Sequence, residues 1–284
     1  MKPAAFDYRA PTTVDEVVAL LGRHGGEARL LAGGQTLVPM MNFRLAAPAI
    51  VIDLNRVPGL AYIEDGGDVV RIGAMTRQRA VEFSPMVARD LPVLRAAIRM
   101  VGHLPTRSRG TIGGSIANAD AAAEIPMVLQ ALGGEVSVHG PHGERRIAAA
   151  DLIEDAMTTS LAEDEVLTEI RFPKMAKGAR FAVEEFSRRH GDFAIAAVTV
   201  ILEINDGVCA SARVATAGVS ACSRRLASAE DALHGRAVDA ASIAAAADAA
   251  AAAIEPLDDR NASADYRRHL TRVLTRRALQ RAAA

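Results

Sequence analysis

A short glycine motif occurs twice in this chain and limits its possible folds more than any other feature. Residues 31–36 read LAGGQT and residues 111–116 read TIGGSI, so each copy places two glycines between an apolar and a polar residue. Paired glycines reach backbone conformations closed to other residues, which lets successive N–H groups converge on an anion. Side-chain donors stand beside both pairs: Gln35, Thr36, Thr111 and Ser115. Two such loops can hold a pyrophosphate from both sides, so the doubled motif favours nucleotide binding.

Each glycine pair taken alone is more typical of a plain tight turn, because glycine is the ordinary turn residue. The coincidence of two pairs, each followed by small hydroxyl or amide residues, makes nucleotide binding an equal alternative. The Rossmann and P-loop classes are excluded, since no G-x-G-x-x-G follows a predicted strand and G-x-x-x-x-G-K-[ST] does not occur.

Three polar residues closely follow the second glycine pair: Asn118, Asp120 and Glu124. The spacing of Asp120 and Glu124 places both carboxylates on one face of a helix, where they can accept hydrogen bonds from ribose or ribityl hydroxyls. The alternative is structural, with Asp120 as the N-cap of a helix that buries Ile125, Val128 and Leu129. For Asp120 considered alone, the capping role is the preferred interpretation.

Composition excludes several classes of protein. The chain has 33 Lys and Arg against 34 Asp and Glu, a net charge of −1, so a nucleic-acid or polybasic membrane partner is not expected. The two cysteines, Cys209 and Cys222, stand alone, which argues against a disulfide scaffold, a cysteine-bound zinc or an iron–sulphur cluster. The seven histidines form no metal-binding pattern. No signal peptide or membrane span is recognisable, so we expect a soluble, cytoplasmic protein.

Apolar periodicity divides the chain into two parts, both α+β, with a boundary at residues 173–178. Short elements are predicted in the first part: a helix capped at Thr13, strands at 28–32 and 49–54, hairpins at 61–72 and 135–147, and helices at 76–83 and 92–101. Longer elements are predicted in the second part: strands at 193–204 and 208–219 around the turn Asn205-Asp206-Gly207, then helices at 239–254 and 264–280.

Four longer segments carry a family resemblance. They read LLAGGQTLVPMMNFRL, RGTIGGSIANADAAAEIP, SRRHGDFAIAAV and SADYRRHLTRVLTRRAL. In this order and spacing they resemble the FAD-binding medium subunit of molybdenum hydroxylases, the family of aerobic carbon monoxide dehydrogenase and xanthine dehydrogenase. The resemblance covers residues 6–278. Two departures leave the glycines intact: Ala121 stands where relatives have proline, and residues 106–110 read TRSRG where relatives read IRNRG.

The resemblance implies a particular domain arrangement and cofactor site. A FAD-binding domain of the vanillyl-alcohol-oxidase (PCMH) type would occupy residues 1–175, in two lobes at about 1–56 and 57–175. A smaller α+β C-terminal domain would occupy residues 176–284. Both glycine loops would hold the FAD pyrophosphate through the following residues: Ala32, Gly33, Gly34, Gln35, Thr36, Thr111, Ile112, Gly113, Gly114 and Ser115.

Further cofactor contacts are implied outside the glycine loops. Asn118 and Glu124 would touch the cofactor, Glu124 near the polyol chain, and Asp120 is a further candidate. Leu167 and Phe193 would lie near the isoalloxazine ring. From the sequence alone, Phe193 can equally be the first core residue of a strand.

The resemblance also implies electron transfer. FAD, bound without a covalent link, would receive electrons from iron–sulphur clusters in a small subunit and pass them to an external acceptor. A molybdopterin-binding large subunit would oxidise the substrate, and the complex would be a dimer of heterotrimers. Carbon monoxide, an aldehyde, a purine and another N-heterocycle all stay open as substrates. No residue of this chain is expected to act as a general acid or base.

Two alternatives belong to other functional classes. One is a self-sufficient FAD-dependent reductase on the same fold, which needs its own substrate cluster and proton donor. The other is a non-catalytic scaffold with a degenerate FAD site, against which the intact glycines argue.

Overall fold

Residues near the N-terminus form a small parallel sheet. The computed structural model describes residues 2–284; Met1, the first residue of the predicted FAD-binding domain, lies outside the described residues. The elements of this region are β1 (Asp7–Arg9), α1 (Val14–His24), β2 (Ala28–Leu31), α2 (Leu37–Asn42) and β3 (Ile50–Asp53). The strands pair in the order β1-β3-β2. Thr13 Oγ1 accepts from Glu16 N at 3.1 Å, which confirms the predicted cap of α1.

An antiparallel sheet of five strands follows. The strands from this region are β4 (Ile63–Asp65), β5 (Val69–Gly73), β6 (Glu135–Gly140), β7 (Gly143–Ala148), β8 (Ile153–Asp155), β9 (Thr158–Thr159) and β10 (Val166–Pro173). The sheet has the order β4-β5-β10-β6-β7, while β8 and β9 pair separately. Both predicted hairpins are confirmed by the pairing of β4 with β5 and of β6 with β7.

Short helices connect the strands of this second sheet. They are α3 (Gln78–Phe83), α4 (Pro85–Asp90), α5 (Pro92–Ile98), α6 (Leu104–Arg109), α7 (Ile112–Asn118), α8 (Glu124–Leu132) and α9 (Ala149–Leu152). The helices predicted at 76–83 and 92–101 are present in shorter form as α3 and α5. Helix α4 was not predicted, although it begins with Pro85, which fits the first turn because the N–H that proline lacks has no helical partner there.

The remaining residues form a third sheet with helices packed against it. Its elements are β11 (Arg180–Phe186), β12 (Ala196–Asn205), β13 (Val208–Ala217), β14 (Arg224–Arg225), α10 (Ala227–Asp231), α11 (Ala240–Ala253) and α12 (Ala264–Ala283). The sheet is antiparallel in the order β11-β12-β13-β14. Asp206 and Gly207 have φ values of 49° and 79°, as the predicted two-residue turn requires. Among residues 2–284, no helix is long and apolar enough to cross a membrane.

Helix α8 lies between the second and third sheets. All of its residues are buried. Its apolar side chains share one core with Ile72 and Phe172 of the second sheet and with Ala197 and Ala215 of the third. A helix that is apolar on every side must be covered on every side. The two α+β parts of the chain therefore meet through a continuous core.

Arg267 of α12 ties several segments together. Its guanidinium is buried and donates through Nη1 to Ile195 O at 2.7 Å and also to Gly218 O. Nη2 pairs with Asp259 at 2.7 Å. Gly218 N in turn donates to Ala121 O at 2.7 Å, in the segment that precedes α8. The last helix thereby fixes two loops that border the site described next.

Candidate cofactor site

A cleft of about 620 Å³ brings both glycine motifs together with residues from all three sheet regions. Most of the predicted site residues line it: Ala32, Gly33, Gln35, Thr36, Thr111, Gly113, Gly114, Ser115, Asn118, Asp120, Glu124, Leu167 and Phe193. The cleft is therefore the place in the fold where the sequence motifs converge.

The first glycine motif follows β2, and its backbone N–H groups are free, as the predicted nest requires. Gly34 has a φ of +70°, a conformation that favours glycine. The backbone N–H groups of residues 33–36 find no hydrogen-bond acceptor among the described residues. Asn55 Nδ2 donates to Ala32 O at 3.0 Å and holds the strand end in place. Four successive free N–H groups are therefore available to donate to an anion.

The second glycine motif does not form a nest, so that prediction is wrong. Gly113 and Gly114 lie in the first turn of α7, whose N-cap is Thr111. Their N–H groups are already bonded, Gly113 N to Ala74 O at 2.9 Å and Gly114 N to Thr111 Oγ1 at 3.0 Å. Glycine is required at both positions because a side chain would not fit there. A Cβ on Gly113 would lie 2.6 Å from Ala74 Cβ, and a Cβ on Gly114 would point towards Ala32 Cβ, 3.4 Å away.

Two predicted site residues lie outside the cleft. The side chain of Ile112 is fully buried in the apolar core and cannot reach a ligand. Gly34 lines a neighbouring cavity of about 360 Å³, together with Asp53, Asn55 and Arg109. The two cavities share Gly33 and Gln35, so the first glycine motif separates them.

Asp120 and Glu124 are not on one helical face, which corrects the prediction. Asp120 precedes α8, and its Oδ1 accepts from Ala122 N at 2.9 Å in a tight turn. The capping interpretation of Asp120 is also wrong, because Ala123 is the N-cap of α8 and gives no side-chain bond. Glu124 is the first residue of the helix. Burial raises the pKa of its carboxyl to about 8, and the nearby negative charges of Glu185 and Asp120 add to the effect.

Leu167 and Phe193 reach the cleft from opposite parts of the chain. A bulge between Leu167 and Glu169 interrupts the pairing of β10 with β6. Val166 and Leu167, the two residues of β10 before this bulge, both line the cleft. Phe193 is 63% exposed and precedes β12 by three residues, so it is not the first core residue of a strand.

Gln78 is a cleft residue that the sequence analysis missed. It opens α3 and is only 5% exposed. Its Oε1 is buried without a hydrogen-bond partner, and a Cβ on Gly110 would lie 2.7 Å from that atom. A buried amide oxygen without a donor is costly, which is the condition expected at a ligand site. No pattern near either glycine motif signals this residue, because it arrives from a separate helix.

The shape and chemistry of the cleft fit a dinucleotide such as FAD. The free N–H groups of the first motif suit a pyrophosphate, and both glycines of the second motif line the same cleft. Hydroxyl and amide groups follow at Ser115 and Asn118, and apolar contact is available at Leu167 and Phe193. The residues of the cleft can therefore contact an anion, a polyol chain and a planar ring along one surface.

Comparison with known proteins agrees with this chemistry. Residues 4–175 match the family described as the FAD binding domain in molybdopterin dehydrogenase, and residues 181–282 match the CO dehydrogenase flavoprotein C-terminal domain. The chain is 40% identical over 284 residues to the nicotine 6-hydroxylase medium subunit of Paenarthrobacter nicotinovorans, covering 100% of this chain and 99% of that protein. It is 39% identical over 283 residues to the 6-hydroxypseudooxynicotine dehydrogenase complex subunit alpha of the same organism, covering 99% and 96%.

A solved structure has the same fold as this chain. The carbon monoxide dehydrogenase from Hydrogenophaga pseudoflava contains a chain that superimposes with a TM-score of 0.97 at 40% identity, covering 99% of this chain and 98% of that one. The expected α+β fold, with a FAD-binding domain followed by a C-terminal domain, is thereby confirmed. The chain belongs to the family of FAD-binding medium subunits of the molybdenum hydroxylases.

Proposed function

We propose that the cleft binds one FAD per chain without a covalent link. The observation that carries this proposal is the row of free N–H groups at residues 33–36, in a motif that lines the same cleft as the first turn of α7. The first motif would bind the pyrophosphate through its backbone. The second motif would contribute through close approach, with Thr111 and Ser115 as side-chain donors. Ile112 would serve only through its backbone, because its side chain is buried.

The remaining cleft residues would orient the rest of the cofactor. Asn118, Asp120 and Glu124 lie along the cleft beyond the glycines and would meet the polyol and ribose hydroxyls. Leu167 and Phe193 would flank the isoalloxazine ring, since an apolar face and an exposed aromatic side chain both suit a planar ligand. When bound, FAD supplies the redox chemistry, and the protein binds it, orients it and tunes its surroundings.

We further propose that the chain transfers electrons within a larger complex. The similar proteins named above are a medium subunit and a complex subunit, which supports partners for this chain as well. A small iron–sulphur subunit would deliver electrons, a molybdopterin-binding large subunit would oxidise the substrate, and the assembly would be a dimer of heterotrimers. The domain limits 1–175 and 176–284 and the cytoplasmic location stay predictions of the sequence.

The test begins with the flavin itself. Purified protein should contain FAD, and acid precipitation should release it to the supernatant. Flavin retained in the pellet would contradict the absence of a covalent link. A colourless chain that takes up no added FAD would instead favour a scaffold with a degenerate site.

Stopped-flow bleaching of the flavin tests electron transfer. In the chain alone, a chemical reductant should bleach the flavin and an acceptor should reoxidise it. Organic substrates should not bleach it. Bleaching by substrate should appear only when the iron–sulphur and molybdenum subunits are both added. Fast bleaching of the single chain by an organic substrate would favour the self-sufficient reductase.

A further inference from the structure

Gln78 is a buried side chain on the wall of the cleft whose carboxamide has no partner within the protein. It lines the cleft and is only 5% exposed. Its Oε1 is buried without a hydrogen-bond partner, and its Nε2 donates to no acceptor among residues 2–284. Gln130, the other buried glutamine, differs because its Nε2 donates to Ala149 O at 2.6 Å. Since buried polar groups are normally paired, the amide of Gln78 is left available for a ligand of the cleft.

The position of this carboxamide is fixed by Gly110. Gln78 N donates to Gly110 O at 2.9 Å. A Cβ on Gly110 would lie 2.7 Å from Oε1, 2.8 Å from Cδ and 3.1 Å from Nε2 of Gln78, so the amide packs directly against this glycine. Gly110 has a φ of −56°, which any residue can adopt, so glycine is needed here for space and not for backbone freedom. The amide is therefore already ordered in the flavin-free chain, which lowers the entropy cost of binding.

Gly110 also places the carboxamide close to both glycine motifs. On the side of the first motif, a Cβ on Gly33 would lie 2.8 Å from Gly110 Cα. On the side of the second motif, Thr111 follows Gly110 directly and forms an isolated β-bridge with Arg77, the residue before Gln78. The amide thus lies where the two motifs approach each other, in the part of the cleft that would hold the pyrophosphate.

We propose that Gln78 is a cofactor-binding residue whose Nε2 donates a hydrogen bond to a pyrophosphate oxygen of FAD. Oε1 is enclosed against Gly110, so Nε2 is the polar atom of this side chain left to meet a ligand. An amide N–H adds a side-chain donor to the free backbone N–H groups of residues 33–36. The unpaired amide destabilises the flavin-free chain, and the bound pyrophosphate offsets part of that cost. The inference rests on the proposed binding of FAD in this cleft.

The variant Gln78→Met separates a binding role from a structural one, because methionine fills a similar volume without the amide. In the flavin-depleted full chain, flavin fluorescence gives the Kd for FAD and urea denaturation gives the stability. The Kd should weaken about tenfold or more, since a hydrogen bond to a charged group is lost. The unfolding midpoint of the flavin-free chain should rise, since an unpaired buried amide is removed.

Gln130→Met is the matched control, because it removes a buried amide that already has a partner. Its unfolding midpoint should fall and its Kd for FAD should stay unchanged. An unchanged Kd in Gln78→Met overturns the inference, and so does a weaker Kd that is accompanied by a lower midpoint. A wild-type chain that takes up no FAD contradicts the proposed function instead.

Gly110→Ala tests the contact without altering the glutamine. The new Cβ would displace the carboxamide, so the Kd for FAD should weaken about as much as in Gln78→Ala. The double variant should bind no more weakly than either single variant, because both changes remove the same hydrogen bond. Losses that add in the double variant would show that the two residues act independently, which overturns the inference.

ADP locates the hydrogen bond on the cofactor, because it contains the pyrophosphate but lacks the ribityl chain and the isoalloxazine ring. Its affinity is measured by competition with FAD in the wild-type chain and in Gln78→Met. The substitution should weaken the binding of ADP by about the same factor as the binding of FAD. Equal affinities of the two chains for ADP would mean that Gln78 does not contact the pyrophosphate, and would overturn the assignment.

Discussion

Gly33 packs against residues 109–110, which directly precede the second glycine motif. A Cβ there would lie 2.5 Å from Arg109 O and 2.8 Å from Gly110 Cα. Both are backbone atoms, so no change of rotamer can relieve the clash. We expect Gly33→Ala to lower the free energy of unfolding by about 1–3 kcal/mol and to abolish FAD retention. Urea denaturation and the flavin absorbance per chain measure the two effects.

Gly22 in α1 provides the matched control. A Cβ at Gly22 would meet no atom within 4 Å. Because alanine is favoured over glycine inside a helix by about 1 kcal/mol, Gly22→Ala should retain its flavin and unfold at a higher urea concentration. Full flavin content in Gly33→Ala would show that the close contact of Gly33 with residues 109–110 is not needed for binding.

The cap of α7 links local helix stability to the site. Thr111 Oγ1 accepts from Gly114 N, and the short helix carries five residues that line the cleft: Gly113, Gly114, Ser115, Ala117 and Asn118. Thr111→Ala should lower the free energy of unfolding by about 1 kcal/mol and weaken the affinity for FAD several-fold, because the first turn frays. Flavin fluorescence titration gives the affinity.

An equivalent cap in α1 separates stability from binding. Thr13 Oγ1 accepts from Glu16 N at 3.1 Å, but neither residue lines the cleft. Thr13→Ala should therefore cost a similar free energy of unfolding and leave the affinity for FAD unchanged. Equal losses of affinity in both variants would mean that general destabilisation, and not the geometry of α7, controls binding.

Strand β10 carries a charged cluster that makes the stability of the second sheet depend on pH. Burial acts to raise the pKa of Glu169, but hydrogen bonds from Arg71, Tyr62 and Arg171 outweigh it and hold the pKa below its usual range. Stability from this group is present above the unfolded pKa and is lost as the pH falls through the lower folded value. Glu169→Gln should lower the free energy of unfolding by about 1–3 kcal/mol at pH 7. The difference should shrink in acid, as urea denaturation at both pH values would show. An equal difference at both would contradict this assignment.

Local signals in the sequence predicted most of the elements. The turn at Asp206 and Gly207 and the cap at Thr13 depend on residues that are neighbours in the chain, and both were predicted correctly. The backbone at Gly113 was not, because its helical conformation follows from close packing against Ala74, a tertiary contact.

The residues of the site were also predictable only where a local sequence pattern marked them. Motif residues such as Gly33 and Ser115 could be identified from their pattern. Gln78 could not, since a separate helix brings it to the cleft. Fold class and the motifs that converge on the cleft were thus predictable, whereas the partners of buried polar groups were not.

At the scale of the whole molecule, Arg267 joins the last helix to the cleft. It holds the carbonyls of Ile195 and Gly218 and pairs with Asp259. Arg267→Met should lower the free energy of unfolding by about 3–5 kcal/mol, because Asp259 and two carbonyls lose their partner. It should also reduce FAD retention, since Phe193 and Ala121 lie next to the released segments.

Arg272 on the same helix is the control for that substitution. It is more exposed and pairs with Asp248 at 2.6 Å. Because surface ion pairs contribute about 0–1 kcal/mol, Arg272→Met should change neither the unfolding midpoint nor the flavin content appreciably. Matching effects in the two variants would indicate that loss of charge, and not the buried contacts, is responsible.

The burial of α8 on all sides has a consequence for synthesis of the protein. During translation this helix leaves the ribosome before β12 and β13, whose side chains complete its apolar surroundings. A nascent chain that ends before residue 196 therefore presents part of that apolar surface to chaperones and to neighbouring nascent chains. The interval ends only when the hairpin around Gly207 has emerged, so the rate at which that hairpin forms limits how long the newborn chain is prone to aggregate.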